Sequence, residues 1–198
     1  MFVDVAIPSK NEMEFIAVAE KLDTKALLFL YPGTKAPKLE LVKGFKVFTG
    51  CIVKDARDIG RAKKNFDLVF AEGDRQYFEN KNVDAIIDLE TSPKSDGMHQ
   101  RYSGLNPVLC NLARKNKIGL CFSFNNLLKA VEQDVVLGRM MQNVRLCRKY
   151  KNQSVIASFA RDPCELRYSK DLISFGIVAG MHPEEAKSAV EFLGKLLK

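Results

Sequence analysis

The chain has 198 residues, of which 46% are hydrophobic, and this length suffices to bury the core of one globular domain. Its net charge of +7 favours a polyanionic partner. No apolar run approaches the roughly 18 residues that a membrane span needs, and the first residues lack the charged and apolar parts of a signal peptide, so we expect a cytoplasmic protein without membrane contact.

Apolar runs of strand length alternate with helical patterns along the first half of the chain. Ser9, with Glu12 three residues later, is typical of a capping box and predicts a helix that runs to Leu22. Asp55 is predicted to cap a second helix, which ends near Lys64. Weaker helical patterns cover 35–43 and 74–80. The strands predicted in this half are 2–7, 26–31, 45–53, 68–71 and 83–89.

The second half opens with a polar loop over 96–103. Asn106 and Pro107 then predict the N-cap and first residue of a helix. Ser169 is predicted to cap another helix, for which Gly180 is the C-terminal stop, and Pro183 to begin the last one. The remaining predicted elements are strands over 118–122 and 154–159, a turn at 125–128 and the longest helix over 131–150.

The predicted strands are apolar throughout, which is typical of parallel strands that are covered on both faces. Seven such strand–helix units without a linker predict an α/β fold, a (β/α) TIM-barrel-like single domain over 1–198 with about seven parallel strands. A doubly wound open sheet is the alternative. The length is at the lower edge for a barrel, so the loops must be short or a strand missing.

Lys, Arg, Asn and Gln predominate among the residues after the predicted strands, which indicates a rim that contacts phosphates. The two histidines, His99 and His182, are too few for a polynuclear metal site, and His182 before Pro183 is typical of a helix start. The five cysteines form no CxxC pair, and no nucleotide-binding motif or nucleophile–base pair is evident. We therefore predict no catalytic and no metal-binding residues.

The second half of the longest helix is strongly basic. From Leu137 to Lys151 there are five cations and no acid. Arg145, Arg148 and Lys149 share one helix face through their three- and four-residue spacings. This face either docks on phosphate or is merely solvated.

Several short motifs follow one another in a specific order and spacing. They are Ser103-Gly104-Leu105-Asn106, Arg139-Met140 through Asn143-Val144, Leu146-Cys147, Lys149-Tyr150, Ser158 with Ala160, Leu166-Arg167 with Asp171-Leu172, and Gly180-Met181 before Glu185-Ala186. Together they resemble the ribonuclease P protein component 3 family. The segment Asp74-Arg75…Glu79 is similar to the Asn-Arg…Glu pattern of that family, with Asp74 in place of the asparagine and Glu72 in place of a glycine.

The resemblance implies a TIM-barrel-like fold related to the PHP phosphoesterases, without their histidine metal ligands. It implies a subunit that pairs with ribonuclease P protein component 2, two copies of each, and assists a catalytic RNA in removing the 5′ leader of precursor tRNA. The chain then binds no cofactor, and Mg²⁺ is used by the RNA. The candidate RNA or partner contacts are Arg75, Arg139 and Arg167 from matching motifs, and His99, Gln100, Arg101, Arg148, Lys149 and Arg161 from their placement.

Two other functions remain open. The chain could be a stand-alone PHP-like barrel phosphoesterase or hydrolase, although it has only two histidines. It could also be a protein-interaction scaffold whose basic surface is incidental.

Overall fold

The computed structural model describes residues 1–37, 42–92, 94–98 and 101–197, in which seven parallel strands form one sheet in sequential order. The strands are β1 (Asp4–Ala6), β2 (Ala26–Pro32), β3 (Lys46–Val53), β4 (Leu68–Ala71), β5 (Ala85–Ile86), β6 (Gly119–Ser123) and β7 (Gln153–Ala157). The helices are α1 (Glu12–Lys21), α2 (Ile59–Asn65), α3 (Arg75–Phe78), α4 (Pro107–Asn116), α5 (Phe124–Lys129), α6 (Gln133–Tyr150), α7 (Ser169–Val178) and α8 (Pro183–Leu196). Within these ranges no helix combines the length and apolar character needed to cross a membrane.

The two edges of the sheet meet between β1 and the residues that follow β7. Ala6 and Ala160 form an isolated parallel bridge. The Ala160 amide donates to the Val5 carbonyl at 3.0 Å, and the Ile7 amide donates to the Ala160 carbonyl at 2.7 Å. The sheet is therefore a nearly closed barrel, which confirms the predicted TIM-barrel-like fold with about seven parallel strands.

A buried carboxylate ties the same junction together. Asp4 is 1% exposed, and its Oδ1 accepts hydrogen bonds from the amides of Val5 at 2.8 Å and Ser158 at 2.7 Å. The Ser158 hydroxyl in turn donates to the Val5 carbonyl at 3.1 Å. Burial raises the pKa of Asp4 to about 6. We call these contacts, together with the Ala6–Ala160 bridge, the β1–β7 seam.

The strands are apolar throughout because both of their faces are buried, as β2 illustrates. Leu28 and Leu30 belong to the cluster that fills the barrel interior. Leu27 and Phe29 point the other way and pack with Phe15 of α1. Each strand thus separates an interior core from an outer layer of helices.

The last helix closes the end of the barrel at which the strands begin. Phe192 and Leu193 of α8 pack into the interior cluster. A Cβ atom at Gly119, the first residue of β6, would lie 3.1 Å from Cε1 of Phe192. At Gly194 a Cβ atom would lie 1.9 Å from the carbonyl oxygen of Met1, so only glycine allows the N-terminus to pass this helix.

Two predicted helix caps are confirmed and two are wrong. Asn106 accepts a hydrogen bond from the Leu109 amide at 3.0 Å, and Asp55 likewise caps a 3-10 turn that leads into α2. The capping box at Ser9 is wrong, because Asn11 is the N-cap of α1 and its Oδ1 accepts the Ser9 amide hydrogen. The cap predicted at Ser169 is also wrong, because Ser169 is the first residue of α7 and Tyr168 is the N-cap.

The predictions that differ from the structure in extent include the fifth strand and the helix over 35–43. The fifth strand, predicted over 83–89, is only Ala85–Ile86, because Asp88 adopts a left-handed conformation with φ of 59° and a 3-10 turn follows it. The helix predicted over 35–43 falls largely on 38–41, which lie outside the described residues, and 35–37 are not helical.

We predict that Asp4→Asn removes part of the pH dependence of stability. The folded-state pKa of about 6 exceeds the usual 3.8, so this group costs stability as pH rises from about 4 through 6. Asparagine keeps an acceptor for both amides but carries no charge. Between pH 5 and pH 7.5, urea denaturation should show the wild type losing on the order of 1 kcal/mol more than the variant. Equal losses would contradict the assignment.

Candidate functional site

The carboxyl ends of the strands open onto a cleft of about 770 Å³, at the end of the barrel where such folds place their functional groups. A second hollow of about 790 Å³ adjoins it across the segment from Asp88 to Ser92. The first is lined by Lys54 and Lys94 and by the acids Glu72, Asp74 and Asp88. The second is lined by Lys129, Arg139 and Arg161 and by the acids Asp88, Glu90 and Glu132. In both cavities the acids offset the cations, so their lining is not the predominantly basic one that the sequence predicted for the rim.

The carboxylates deepest in these cavities are bound by amide side chains. Asp88 accepts a hydrogen bond from Nδ2 of Asn126, and Glu90 accepts one from Nδ2 of Asn143 at 3.0 Å. Burial raises the pKa of both acids, that of Glu90 to about 7. No group of three or more His, Cys, Asp and Glu side chains that could hold a metal ion occurs in the part of the chain that the structure describes.

Arg139 of α6 holds the loop that borders the two cavities. Its Nη1 donates to the carbonyls of Glu90 at 3.0 Å and Ser92 at 2.8 Å, and its Nη2 donates to the carbonyl of Lys94 at 2.6 Å. Its Nε donates to Oδ1 of Asp96 at 2.8 Å. The side chain is only 6% exposed. Arg139, predicted as an RNA or partner contact, is thus directed at its own chain, and the structure gives it an internal positioning role.

Two amide side chains on the same face of α6 hold the far end of this loop. Nδ2 of Asn143 donates to the Ser103 carbonyl at 2.8 Å as well as to Glu90. Nε2 of Gln142 donates to Oγ of Ser103 at 2.8 Å and to the carbonyl of Arg101 at 3.1 Å. The helix therefore fixes both ends of the loop by the three- and four-residue spacing of its side chains.

The loop presents Arg101 at the surface. A Cβ atom at Gly138 would lie 2.1 Å from Nη1 of Arg101, so glycine leaves the space that this guanidinium occupies. Arg101 is about half exposed, and its Nη1 lies 3.7 Å from Asp96. His99 and Gln100, the other predicted contacts of this loop, lie outside the described residues.

Three more of the predicted contacts lie near the carboxyl ends of the strands. Two of them bind partners within the chain, and the third lines a cavity. Arg75 pairs with Glu79 at 2.8 Å on the surface of α3. Arg167 donates to the carbonyls of Cys164 and Leu166, and its guanidinium lies over the ring of Phe124. Arg161 lines the second hollow.

The other two predicted contacts lie at the far end of α6. Arg148 forms a two-point ion pair with Glu185 of α8, with N–O distances of 2.8 and 2.6 Å. Lys149 is exposed, and its ammonium lies over the ring of Tyr150. The structure therefore divides the predicted contacts between opposite ends of the barrel, and their roles remain predictions.

The neighbouring helix α4 adds cations that were not among the predicted contacts. Arg114, Lys115 and Lys117 are exposed at or just beyond its C-terminus. From Gly97 to Arg161 the sequence holds eleven Lys and Arg residues but only two acids. This imbalance is the sequence feature that could have indicated a basic surface on α4. The sequence alone could not show that these cations lie close to those of α6, because their proximity requires the two helices to be neighbours in the fold.

Fold and surface together define a (β/α) barrel with a mixed-charge cleft and a basic helical face, which is the character of a polyanion-binding protein. A profile of the family described as RNase P subunit p30 matches residues 1–198, and the chain belongs to this family. It is a protein subunit of ribonuclease P and has a role in tRNA processing. The family resemblance seen in the sequence motifs is thereby confirmed.

Curated relatives agree with this assignment, and a solved structure shares the fold. Ribonuclease P protein component 3 of Methanosarcina mazei is 27% identical over 175 residues, which cover 82% of this chain and 70% of the relative. The component 3 protein of Methanosarcina acetivorans is 27% identical over 169 residues, which cover 79% and 67%. A chain in a cryo-EM structure of archaeal ribonuclease P with mature tRNA aligns with a TM-score of 0.76 and 20% identity, covering 98% of this chain and 89% of that one.

A second structural likeness extends to the fold alone. Histidinol phosphate phosphatase from Lactococcus lactis, complexed with zinc, L-histidinol and phosphate, aligns with a TM-score of 0.60. Its sequence is 8% identical, and the alignment covers 91% of this chain and 94% of that chain.

We predict that Arg139→Met destabilises the protein by about 2–3 kcal/mol, because it leaves the carbonyls of Glu90, Ser92 and Lys94 without this donor and removes one of the donors to Asp96. Arg145→Met is the matched control, since Arg145 lies exposed on the same helix and should cost no more than about 0.5 kcal/mol. Urea denaturation measures both. An Arg139→Met variant that keeps wild-type stability but loses RNA binding would instead make Arg139 a direct RNA contact.

Proposed function

We propose that the chain is a non-catalytic subunit that binds the ribonuclease P RNA and assists it in removing the 5′ leader from precursor tRNA. The observation that carries this proposal is that the acids at the carboxyl ends of the strands are hydrogen-bonded to amide side chains. A barrel hydrolase needs metal ligands or a nucleophile and a base converging there. In this chain Asp88 and Glu90 are held by Asn126 and Asn143 instead.

The charge of the chain supports RNA as the principal partner. Lys and Arg exceed Asp and Glu by seven, and phosphate contacts of basic side chains dominate the affinity of proteins for nucleic acid. We further propose that the chain pairs with ribonuclease P protein component 2, two copies of each, and meets precursor tRNA through the assembled enzyme. In this assignment the chain binds no cofactor, and Mg²⁺ serves the RNA.

The reduced form of the cysteines supports a cytoplasmic location for this assembly. Cys51, Cys110, Cys121 and Cys147 are buried free thiols. Burial raises the pKa of Cys51 and Cys110 to about 11, which keeps both thiols protonated and unreactive. A reducing compartment maintains this state.

Reconstitution tests the proposal. The chain alone should not cleave precursor tRNA, and the chain with component 2 and the cognate RNA should restore cleavage at a Mg²⁺ concentration at which the RNA alone is slow. The double variant Glu72→Gln/Asp74→Asn removes two exposed carboxylates of the cleft and should support the same cleavage rate within about twofold, since no carboxylate of the chain takes part in the chemistry.

The opposite result would identify a stand-alone phosphoesterase. It would consist of metal-dependent hydrolysis of a phosphoester by the isolated chain, lost in the double variant. Full cleavage by RNA and component 2 without this chain would also contradict the proposal.

A further inference from the structure

The helices α4 and α6 end side by side at the end of the barrel where the strands begin. Each helix lies between two adjacent parallel strands in the sequence: α4 precedes β6, which pairs with β5, and α6 precedes β7, which pairs with β6. Their C-termini therefore lie opposite the mixed-charge cleft, next to α8, which closes this end of the barrel.

The residues around these two C-termini form a surface that we call the α4–α6 basic face. All of its members are exposed, and none forms an ion pair with an acid in the ranges that the structure describes. They are Arg114, Lys115 and Lys117 from α4 and Arg145, Lys149 and Lys151 from α6.

No acid of the same chain segment lies near this face. The only two acids between Gly97 and Arg161 are Glu132 and Asp134, at the N-terminus of α6. A helix of 18 residues places its ends about 27 Å apart, well beyond the roughly 8 Å over which exposed charges interact at physiological salt. The positive potential of the face is therefore not offset by them.

Two lysines of the face occupy backbone conformations that favour glycine. Lys117 and Lys151 are the C-cap residues of α4 and α6, with φ of 59° and 56° in the left-handed region. The end of α7 in the same chain has Gly180 in the left-handed region, with φ of 94°. A lysine there carries a steric cost that the helix dipole only partly offsets.

A cleft of about 330 Å³ between α6 and α8 extends the face toward groups that suit phosphate. It is lined by Arg148, which is paired with Glu185, and by Lys151 and the hydroxyl residues Ser154 and Ser188. The ammonium of Lys195 lies 3.5 Å from the Ser188 hydroxyl. Cations and hydroxyls of this kind are the usual partners of phosphate oxygens.

We propose that the α4–α6 basic face is the surface on which the chain contacts the phosphate backbone of the ribonuclease P RNA. The cleft at the carboxyl ends of the strands, where barrel enzymes bind their substrates, is not that surface. The inference rests on the proposed function, because it locates the RNA contact which that function requires.

The test replaces each strained lysine by glycine. Lys117→Gly, Lys151→Gly and the double variant are compared with Lys10→Gly, which removes an exposed lysine from the left-handed region after β1, at the other end of the barrel. Binding of the cognate RNA is measured over a series of salt concentrations, with the chain in complex with component 2. Melting temperatures are measured for the same proteins.

The proposal expects binding and stability to change in opposite directions. Each variant of the face should lose about fivefold in affinity at 0.15 M salt and lower the slope of log K against log salt by about one, and the double variant by about two. The melting temperature should stay the same or rise by about 2–4 °C for each glycine. Lys10→Gly should bind RNA as the wild type does.

Three results would overturn the proposal. They are a loss of affinity that follows a loss of stability, an equal loss of affinity in Lys10→Gly, and unchanged affinity in the double variant while the wild type binds RNA. The last would leave the proposed function standing and move the RNA contact elsewhere. A wild-type complex that binds RNA without salt dependence would overturn the proposed function itself.

Discussion

The β1–β7 seam is the contact on which the rest of the barrel depends. Six of the seven strands pair with their successor through a regular parallel ladder, and only the junction between the first and last relies on a single bridge. Asp4 strengthens this junction by accepting two amide hydrogens in the interior. Because the sheet closes there, its inner side chains form one core, and α8 can seal the end where the strands begin.

Closure of the barrel separates two surfaces of different character. The carboxyl ends of the strands carry the loops, and Arg139 and Asn143 hold the longest of these in place through backbone carbonyls. The C-termini of α4 and α6 lie at the opposite end, where Arg148 is paired with Glu185 and the other exposed cations form no ion pair among the residues that the structure describes. The fold thus keeps the usual catalytic end of a barrel balanced in charge and concentrates its positive potential on the other end.

The strands and the fold class could be predicted because a parallel sheet covered on both faces leaves continuous apolar runs in the sequence. The end of β5 could not, because the left-handed conformation of Asp88 has no local signature. Ser9 and Ser169 were competent caps, but Asn11 and the residue before Ser169 took the position. A capping pattern in the sequence therefore locates the start of a helix only to within one or two residues.

The candidate site was less predictable than the fold for a physical reason. Whether an arginine serves the chain or a partner depends on what surrounds it. The acceptors of Arg139 are carbonyls and a carboxylate more than 40 residues away in sequence. Lys149 was predicted as an RNA contact from the pattern of its own helix. Lys117 and Lys151 could be assigned to a shared surface only after the structure showed that α4 and α6 are neighbours and that both helices end in a left-handed residue.

Lysine footprinting of the assembled complex shows directly which face of the chain contacts the RNA. An amine-reactive reagent is applied to the chain and component 2 with and without the cognate RNA, and the modified lysines are identified by mass spectrometry. RNA should protect Lys117, Lys149 and Lys151 at the helix ends and leave Lys54 and Lys94 of the cleft reactive. Protection confined to Lys54 and Lys94 would show that the RNA enters the cleft and does not bind the α4–α6 basic face.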